Sequence, residues 1–175
     1  MTGQTSDLVR YTIEVLSKLI EIPTINPPGA EYRRCAKFLA EELEKAGFQV
    51  EVIEIPEDYM ESHYPYAPRH KGHPRYIVFG KLGKGAPRLH FNGHYDVVPP
   101  GTGWSTDPFK PVIKDGKVYG RGAADMKGGI ASMLAAFKWL SDEGFKPKGT
   151  IEAAFVPDEE TGGIGSLYLL ETGIS

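Results

Sequence analysis

Apolar residues recur at two different periods in this sequence, and segments of the two kinds alternate along it. Leu8, Tyr11, Val15, Leu16 and Leu19 follow the spacing of one helix face, with Ser6 as the N-cap and Pro23 just beyond the end. Cys35, Phe38, Leu39 and Leu43 repeat that spacing, and Gly47 closes the second helix. A third carries Ile130, Met133, Leu134, Phe137 and Leu140 and ends at Gly144; a last one begins over residues 164–170. Between the helices the period drops to two. Phe48, Val50 and Val52 alternate as a strand does, while residues 76–79, 89–92 and 150–156 read as further strands, the last buried. V-I-K-D-G-K-V-Y at 112–119 predicts a hairpin turning at Asp115-Gly116. I-N-P-P-G at 25–29 is a loop by its turn chemistry. Residues 56–74 are polar, aromatic and proline-bearing, which predicts a long surface loop with His63, His70 and His73 exposed in it. The alternation predicts an α/β fold, a central sheet covered by helices.

Composition narrows the function. A length of 175 residues suits one domain with a sizeable core. The net charge of −3 and the lack of any Lys/Arg block argue against a nucleic-acid surface. No apolar run approaches membrane-spanning length, and residues 1–4 lead into a polar periodic segment rather than a signal core. Cys35 is the sole cysteine, so no internal disulfide forms; it is read as a helix core residue. A cytoplasmic protein is expected, without nucleic-acid or membrane partners.

Polar residues interrupt the pattern at three places. In L-H-F-N-G-H-Y-D-V-V at 89–98, His94 and Asp96 stand two apart at a strand's end and project to one side. Neutral imidazole is a good zinc ligand, and a neighbouring carboxylate commonly fixes its tautomer. In G-R-G-A-A-D-M-K-G-G at 120–129, Asp125 sits in a glycine-rich loop entering the third helix. In V-P-D-E-E-T-G-G-I-G at 156–165, three consecutive acids close a buried strand. Each alone admits a plain structural reading: a satisfied loop histidine, a helix cap, a solvated acidic loop. Together they fall at strand ends or in a loop into a helix, the edge at which open α/β sheets form sites. One histidine with several carboxylates there fits a divalent metal, and more carboxylates than one ion needs suggest two. Trp104 and Phe109 flank Asp107 after the first cluster and either wall a cleft or pack beneath their loop, and His90 is read as packed or hydrogen-bonded.

G-H-Y-D-V-V-P, G-W-S-T-D-P-F, G-R-G-A-A-D-M-K-G-G and D-E-E-T-G-G, in this order over roughly residues 8–173, resemble the signature of one family. It comprises acetylornithine deacetylase, succinyl-diaminopimelate desuccinylase, aminoacylase and glutamate carboxypeptidase, the co-catalytic zinc amidohydrolases. The resemblance implies a zinc-exopeptidase-like catalytic domain. It implies His94 as ligand of one zinc, Asp125 as the bridge between two, Glu160 as ligand of the second, Glu159 as general base, and Asp96 as the group orienting His94. It also implies a cis peptide at Asp125-Met126. The reaction implied is hydrolysis of an amide in N-acyl amino acids or short peptides by a metal-bridging water activated by Glu159. Zinc is the expected metal, two ions per complete site, with Co²⁺ or Mn²⁺ as substitutes. The family pattern also needs a later carboxylate, a later histidine, and a lid domain that makes dimer contacts; none follows in these 175 residues. Residues 1–175 are thus expected to be the N-terminal portion of one catalytic domain, in a protein that is homodimeric at full length. The alternative is a catalytically silent metal-binding fragment, or a subunit whose site a partner chain completes.

Overall fold

The computed structural model describes residues 2–64 and 67–174. The described residues form six helices and six strands, and the six strands and four of the helices follow the alternation expected from the sequence. In chain order they are α1 (Thr2–Ile20), α2 (Tyr32–Lys45), β1 (Gln49–Glu54), α3 (Glu57–His63), α4 (Ala67–His70), β2 (Tyr76–Gly83), β3 (Arg88–His94), β4 (Val112–Lys114), β5 (Lys117–Tyr119), α5 (Lys127–Asp142), β6 (Thr150–Val156) and α6 (Ile164–Thr172). The main sheet has the order β1-β2-β6-β3. Pairing is antiparallel for β1 with β2 and for β2 with β6, and parallel for β3 with β6. The hairpin β4-β5 stands apart, with both Asp115 and Gly116 at positive φ, as a two-residue primed turn requires.

Every residue of β6 is buried, so the strand serves two cores. Ile151, Ala153 and Phe155 face the larger one, where Leu19, Ile20, Leu39, Leu43, Ile130 and Leu134 bring α1, α2 and α5 onto the sheet. Ala154 and Val156 face the other way, toward Met60 of α3 and Ile164 and Leu169 of α6. Tyr76 and Val78 of β2 join the first core and Ile77 and Phe79 the second, as the two-residue period demands. Glu152 is the one charged residue within β6. It lies on the side of Ala154, opposite Lys81 and His90 in the register. Its carboxylate is buried, 3.3 Å from His90 Nδ1 and 3.7 Å from Lys81 Nζ and Arg88 Nη1.

Lys127 ties the entry of α5 to the exit of α1. Its side chain is fully buried, and Nζ donates to the carbonyls of Leu19 and Ile22, both at 2.8 Å. Those carbonyls lie at the end of α1, where a cation answers both the unpaired acceptors and the helix dipole. Burial pulls the Lys127 ammonium down to about 8.

Two sequence expectations fail. Helix α1 begins at Thr2 rather than after Ser6; no proline interrupts residues 2–6, and a serine in a helix costs only about 0.5 kcal/mol. The stretch 56–74 is not a bare loop but carries α3 and α4. Glu57 and Asp58 occupy the first turn after Pro56, and Met60 and Tyr64 turn inward four residues apart. Residues 65 and 66 of that stretch lie outside the described residues. His63 and His73 are exposed, but His70 is not. Its ring stacks on Tyr64 with centroids 4.9 Å apart, and Nδ1 stands 3.0 Å from the Pro28 carbonyl oxygen.

Burial holds the His70 pKa below its ordinary 6.5, with the Arg75 charge adding to the effect and the Pro28 carbonyl opposing it. A base whose folded pKa is depressed takes up protons on unfolding, so its contribution is present above about pH 6.5 and is lost as the pH falls below it. His70→Phe keeps the stack and removes both the proton site and the bond to Pro28. We expect a loss of about 1 kcal/mol at neutral pH that shrinks toward about pH 5. Urea midpoints of both proteins across that range check this, and a gap independent of pH would refute it.

Candidate metal centre

The parallel neighbours β3 and β6 run side by side to their C-terminal ends, with His94 opposite Val156. Tyr95 N–H donates to the Val156 carbonyl at 3.1 Å and carries the pairing one residue further. The chain then leaves both strands at one edge: β3 delivers His94 and Asp96, β6 delivers Pro157 to Glu160. Asp125 arrives from the loop before α5, through a cis peptide to Met126. His94, Asp125 and Glu160 each place a donor atom within 4.8 Å of the others.

His94 Nε2 lies 3.1 Å from Asp125 Oδ1 and 3.7 Å from Glu159 Oε2. The imidazole is buried, whereas the carboxylates of Asp125 and Glu159 are open to solvent at 77% and 58% exposure. Asp125 is not the cap of α5, since Met126 holds that position and no side chain caps it. Donors about 2.0–2.2 Å from one tetrahedral ion stand roughly 3.4 Å apart. The nitrogen and two carboxylates of this cluster fit a divalent cation after small side-chain rotations.

Asp96 lies fully buried beneath the cluster. Its Oδ1 is 3.4 Å from His94 Nδ1 and accepts from the Glu159 N–H at 3.1 Å; its Oδ2 accepts from the Glu160 N–H at 3.2 Å. One carboxylate thereby holds an imidazole from β3 and two backbone amides from the turn after β6. Asn26 adds a third tie, with Nδ2 donating to Asp96 Oδ2 at 3.3 Å and to Thr161 Oγ1 at 2.7 Å. Its own segment is fixed by a two-way ladder: Asn26 N–H donates to the Val97 carbonyl and Val97 N–H to the Thr24 carbonyl, each at 2.9 Å. The Tyr64 hydroxyl also meets Thr161 Oγ1.

The electrostatics follow from that crowding. Burial alone would lower the His94 pKa, but hydrogen bonding and charge from Asp96, with Asp125 and Glu159, outweigh it and raise the imidazole to about 9. Burial raises the Glu160 carboxyl above its ordinary range, with Asp125, Asp96 and Glu159 adding to the effect and His94 opposing it. An excess of carboxylates around one imidazole is a field that favours a bound cation.

The remaining sequence candidates lie elsewhere. Trp104 is 37% exposed, donates Nε1–H to the Pro100 carbonyl at 2.8 Å and sits under the Arg121 guanidinium at 5.5 Å. His90 pairs with Glu152 and stacks on Phe79. Burial drives the Cys35 thiol up to about 12, which leaves it unreactive. A cavity of about 630 Å³ opens between Glu54, Met60, His70 and Pro74, and its lining includes none of His94, Asp125 and Glu160. Sequence reasoning passed over Asn26, Tyr32, Tyr64, Arg75 and Thr161. The one local signal was for Asn26, a polar residue between an apolar one and two prolines.

Residues 90–175, which carry all three clusters, match Peptidase family M20/M25/M40. The chain is 36% identical over 151 residues to a succinyl-diaminopimelate desuccinylase of Wolbachia pipientis wMel, an alignment covering 85% of this chain. The chain belongs to this family. It spans about a third of the length of that relative, 33%. Among solved structures, the same fold is seen in the di-peptidase Dug1p of Saccharomyces cerevisiae, at a TM-score of 0.79 and 24% identity over 97% of this chain and 36% of that one. An M20 family metallo-carboxypeptidase of Sulfolobus solfataricus superposes at a TM-score of 0.71 and 25% identity, over 92% of this chain and 34% of that one. The M20 family is one of metal-dependent hydrolases, so a divalent ion belongs to its chemistry. No helix among the described residues is long and apolar enough to cross a membrane.

Proposed function

We propose that this chain forms the N-terminal part of the catalytic domain of a zinc-dependent amidohydrolase acting on small N-acyl amino acids, with N-succinyl-diaminopimelate the first substrate to test. The convergence of His94, Asp125 and Glu160 supports the reading. His94 would hold one ion, Glu160 the second, and Asp125 both. Zinc bound there would lower the pKa of an attacking water and polarise the scissile carbonyl. Glu159, beside His94 and open to solvent, takes a proton from that water as its oxygen bonds to the carbonyl carbon. It passes the proton to the amine as the C–N bond breaks, leaving a carboxylate and a free amino group. Asp96 keeps His94 in orientation and fixes the turn that carries Glu159. The working place is the cytoplasm, in keeping with a single buried cysteine.

A metal titration tests the reading. Catalytic zinc ordinarily has three protein ligands, and His94, Asp125 and Glu160 together amount to one such set. The 175-residue chain should therefore retain about one zinc, and His94→Ala should abolish that binding. Because two ions sharing Asp125 would each lack a ligand, this chain assayed alone should turn over N-succinyl-diaminopimelate far below the roughly 1–10³ s⁻¹ of ordinary enzymes. Failure to retain any zinc would overturn the metal-centre reading, and ordinary turnover by the chain alone would overturn its division of ligands.

A further inference from the structure

Behind the turn that carries Glu159 and Glu160 lies an ion pair with no access to solvent. Arg75, immediately before β2, and Asp158, immediately after Pro157, are both fully buried, and Arg75 Nε donates to Asp158 Oδ2 at 2.7 Å. Asp158 Oδ1 accepts from the Tyr32 hydroxyl at 2.5 Å. The guanidinium lies over the Tyr32 ring at 5.3 Å, and Nη1 also donates to the His73 carbonyl. Gly29 stands so close that a Cβ there would lie 2.6 Å from Nη1. Arg75 is thus enclosed by the 25–29 loop, α2 and the turn after β6.

Such a pair is a poor source of stability. Desolvating two charges cancels most of their attraction, and well-packed apolar replacements are often neutral or better. Its geometry indicates another role. Asp158 has φ +62, a left-handed conformation that a non-glycine residue holds only when its surroundings fix it. From there its carbonyl accepts from the Gly163 N–H at 2.7 Å, closing the turn over residues 159–162. Asp96 holds the same turn through the amides of Glu159 and Glu160. Arg75, through Asp158, and Asp96 therefore both fix this turn.

We propose that Arg75 is a positioning residue of the metal centre: through Asp158 it fixes the backbone from which Glu159 and Glu160 project. The inference rests on the metal-centre reading above. A role limited to stability and a role in positioning separate in the double variant Arg75→Met/Asp158→Gly. Methionine fills the arginine's site without a charge, and glycine accepts the positive φ without strain. The double variant should fold, with thermal and urea midpoints near those of the native chain, yet bind Zn²⁺ about 10–100-fold more weakly, the range for loss of groups that orient metal ligands. The single variant Tyr32→Phe removes one bond to Asp158 with little risk to folding, and should shift zinc affinity in the same direction by a smaller factor. Visible absorption of the Co²⁺-loaded chains gives a second readout, because a displaced Glu160 changes the ligand field whatever the affinity. Zinc affinity and cobalt spectra unchanged in both variants would overturn the positioning role and leave the metal centre standing. A native chain that binds neither metal would overturn the metal centre itself, and this inference with it.

Discussion

Glu159→Gln is expected to lower amide hydrolysis by about 10²–10⁴-fold, the usual worth of a positioned general base, while leaving zinc content intact. Glu160→Gln should do the opposite to the metal and deplete zinc, even though the two residues are neighbours. The asymmetry comes from direction. Glu160 is the member of the pair whose carboxylate oxygen groups with the His94 and Asp125 donors, whereas Glu159, its oxygen 3.7 Å from His94 Nε2, is outside that group and stays 58% exposed. Zinc content is read on the 175-residue chain by metal analysis after dialysis. Hydrolysis is read by amine release from N-succinyl-diaminopimelate in a protein that supplies the remaining ligands. Zinc lost with Glu159→Gln and kept with Glu160→Gln would exchange the two roles.

A large stability effect is expected from a single added methyl group at Gly128. A Cβ there would lie 2.3 Å from the Ala123 carbonyl oxygen, a backbone atom that cannot swing aside. Gly128→Ala must therefore push α5 away from the loop that carries Asp125, and we expect a cost of about 3 kcal/mol together with weaker zinc binding. The next residue is the control. A Cβ on Gly129 meets only the end of the Met126 side chain, at 3.3 Å, which can turn away. Alanine's advantage in a helix, about 1 kcal/mol, should then leave Gly129→Ala close to native stability. Urea unfolding of both variants decides the matter, and equal losses would mean that the Ala123 contact is not the cause.

The glycine pair marks the boundary of what the sequence could reveal. G-R-G-A-A-D-M-K-G-G reads as a loop where backbone comes close to something, but it does not say that the closest approach is to the loop's own carbonyl. Strands and most helices were legible because their signal is local: Phe48, Val50 and Val52 alternate whatever they pack against. The three clusters around His94, Asp125 and residues 158–160 stood out together at strand ends and a helix entry, and the family resemblance then picked His94, Asp125 and Glu160 out of them as ligands. The groups that hold them did not stand out. Arg75 and Asp158 are 83 residues apart and Asn26 and Thr161 are 135 apart, and neither pair leaves a periodic trace. A lone arginine before a strand reads as a solvated end, and only the fold encloses it. For the same reason α3 and α4 were missed, since their inward side consists of little more than Met60, Tyr64 and His70.

Glu152 bears on how faithfully this edge is assembled. A strand apolar on both sides could thread between its neighbours one residue out of place and still bury hydrophobic groups on each face, so greasiness alone does not penalise the error. The single carboxylate does. Moved by one position, it would turn away from Lys81, Arg88 and His90 toward the larger core, which Leu82, Phe91 and Leu134 help to form and where a charge has no partner. The same slip would carry Glu160 out of step with His94, since β6 and β3 end side by side. Glu152, toward the far end of the strand from the candidate metal centre, thus proofreads the alignment that brings Glu160 level with His94.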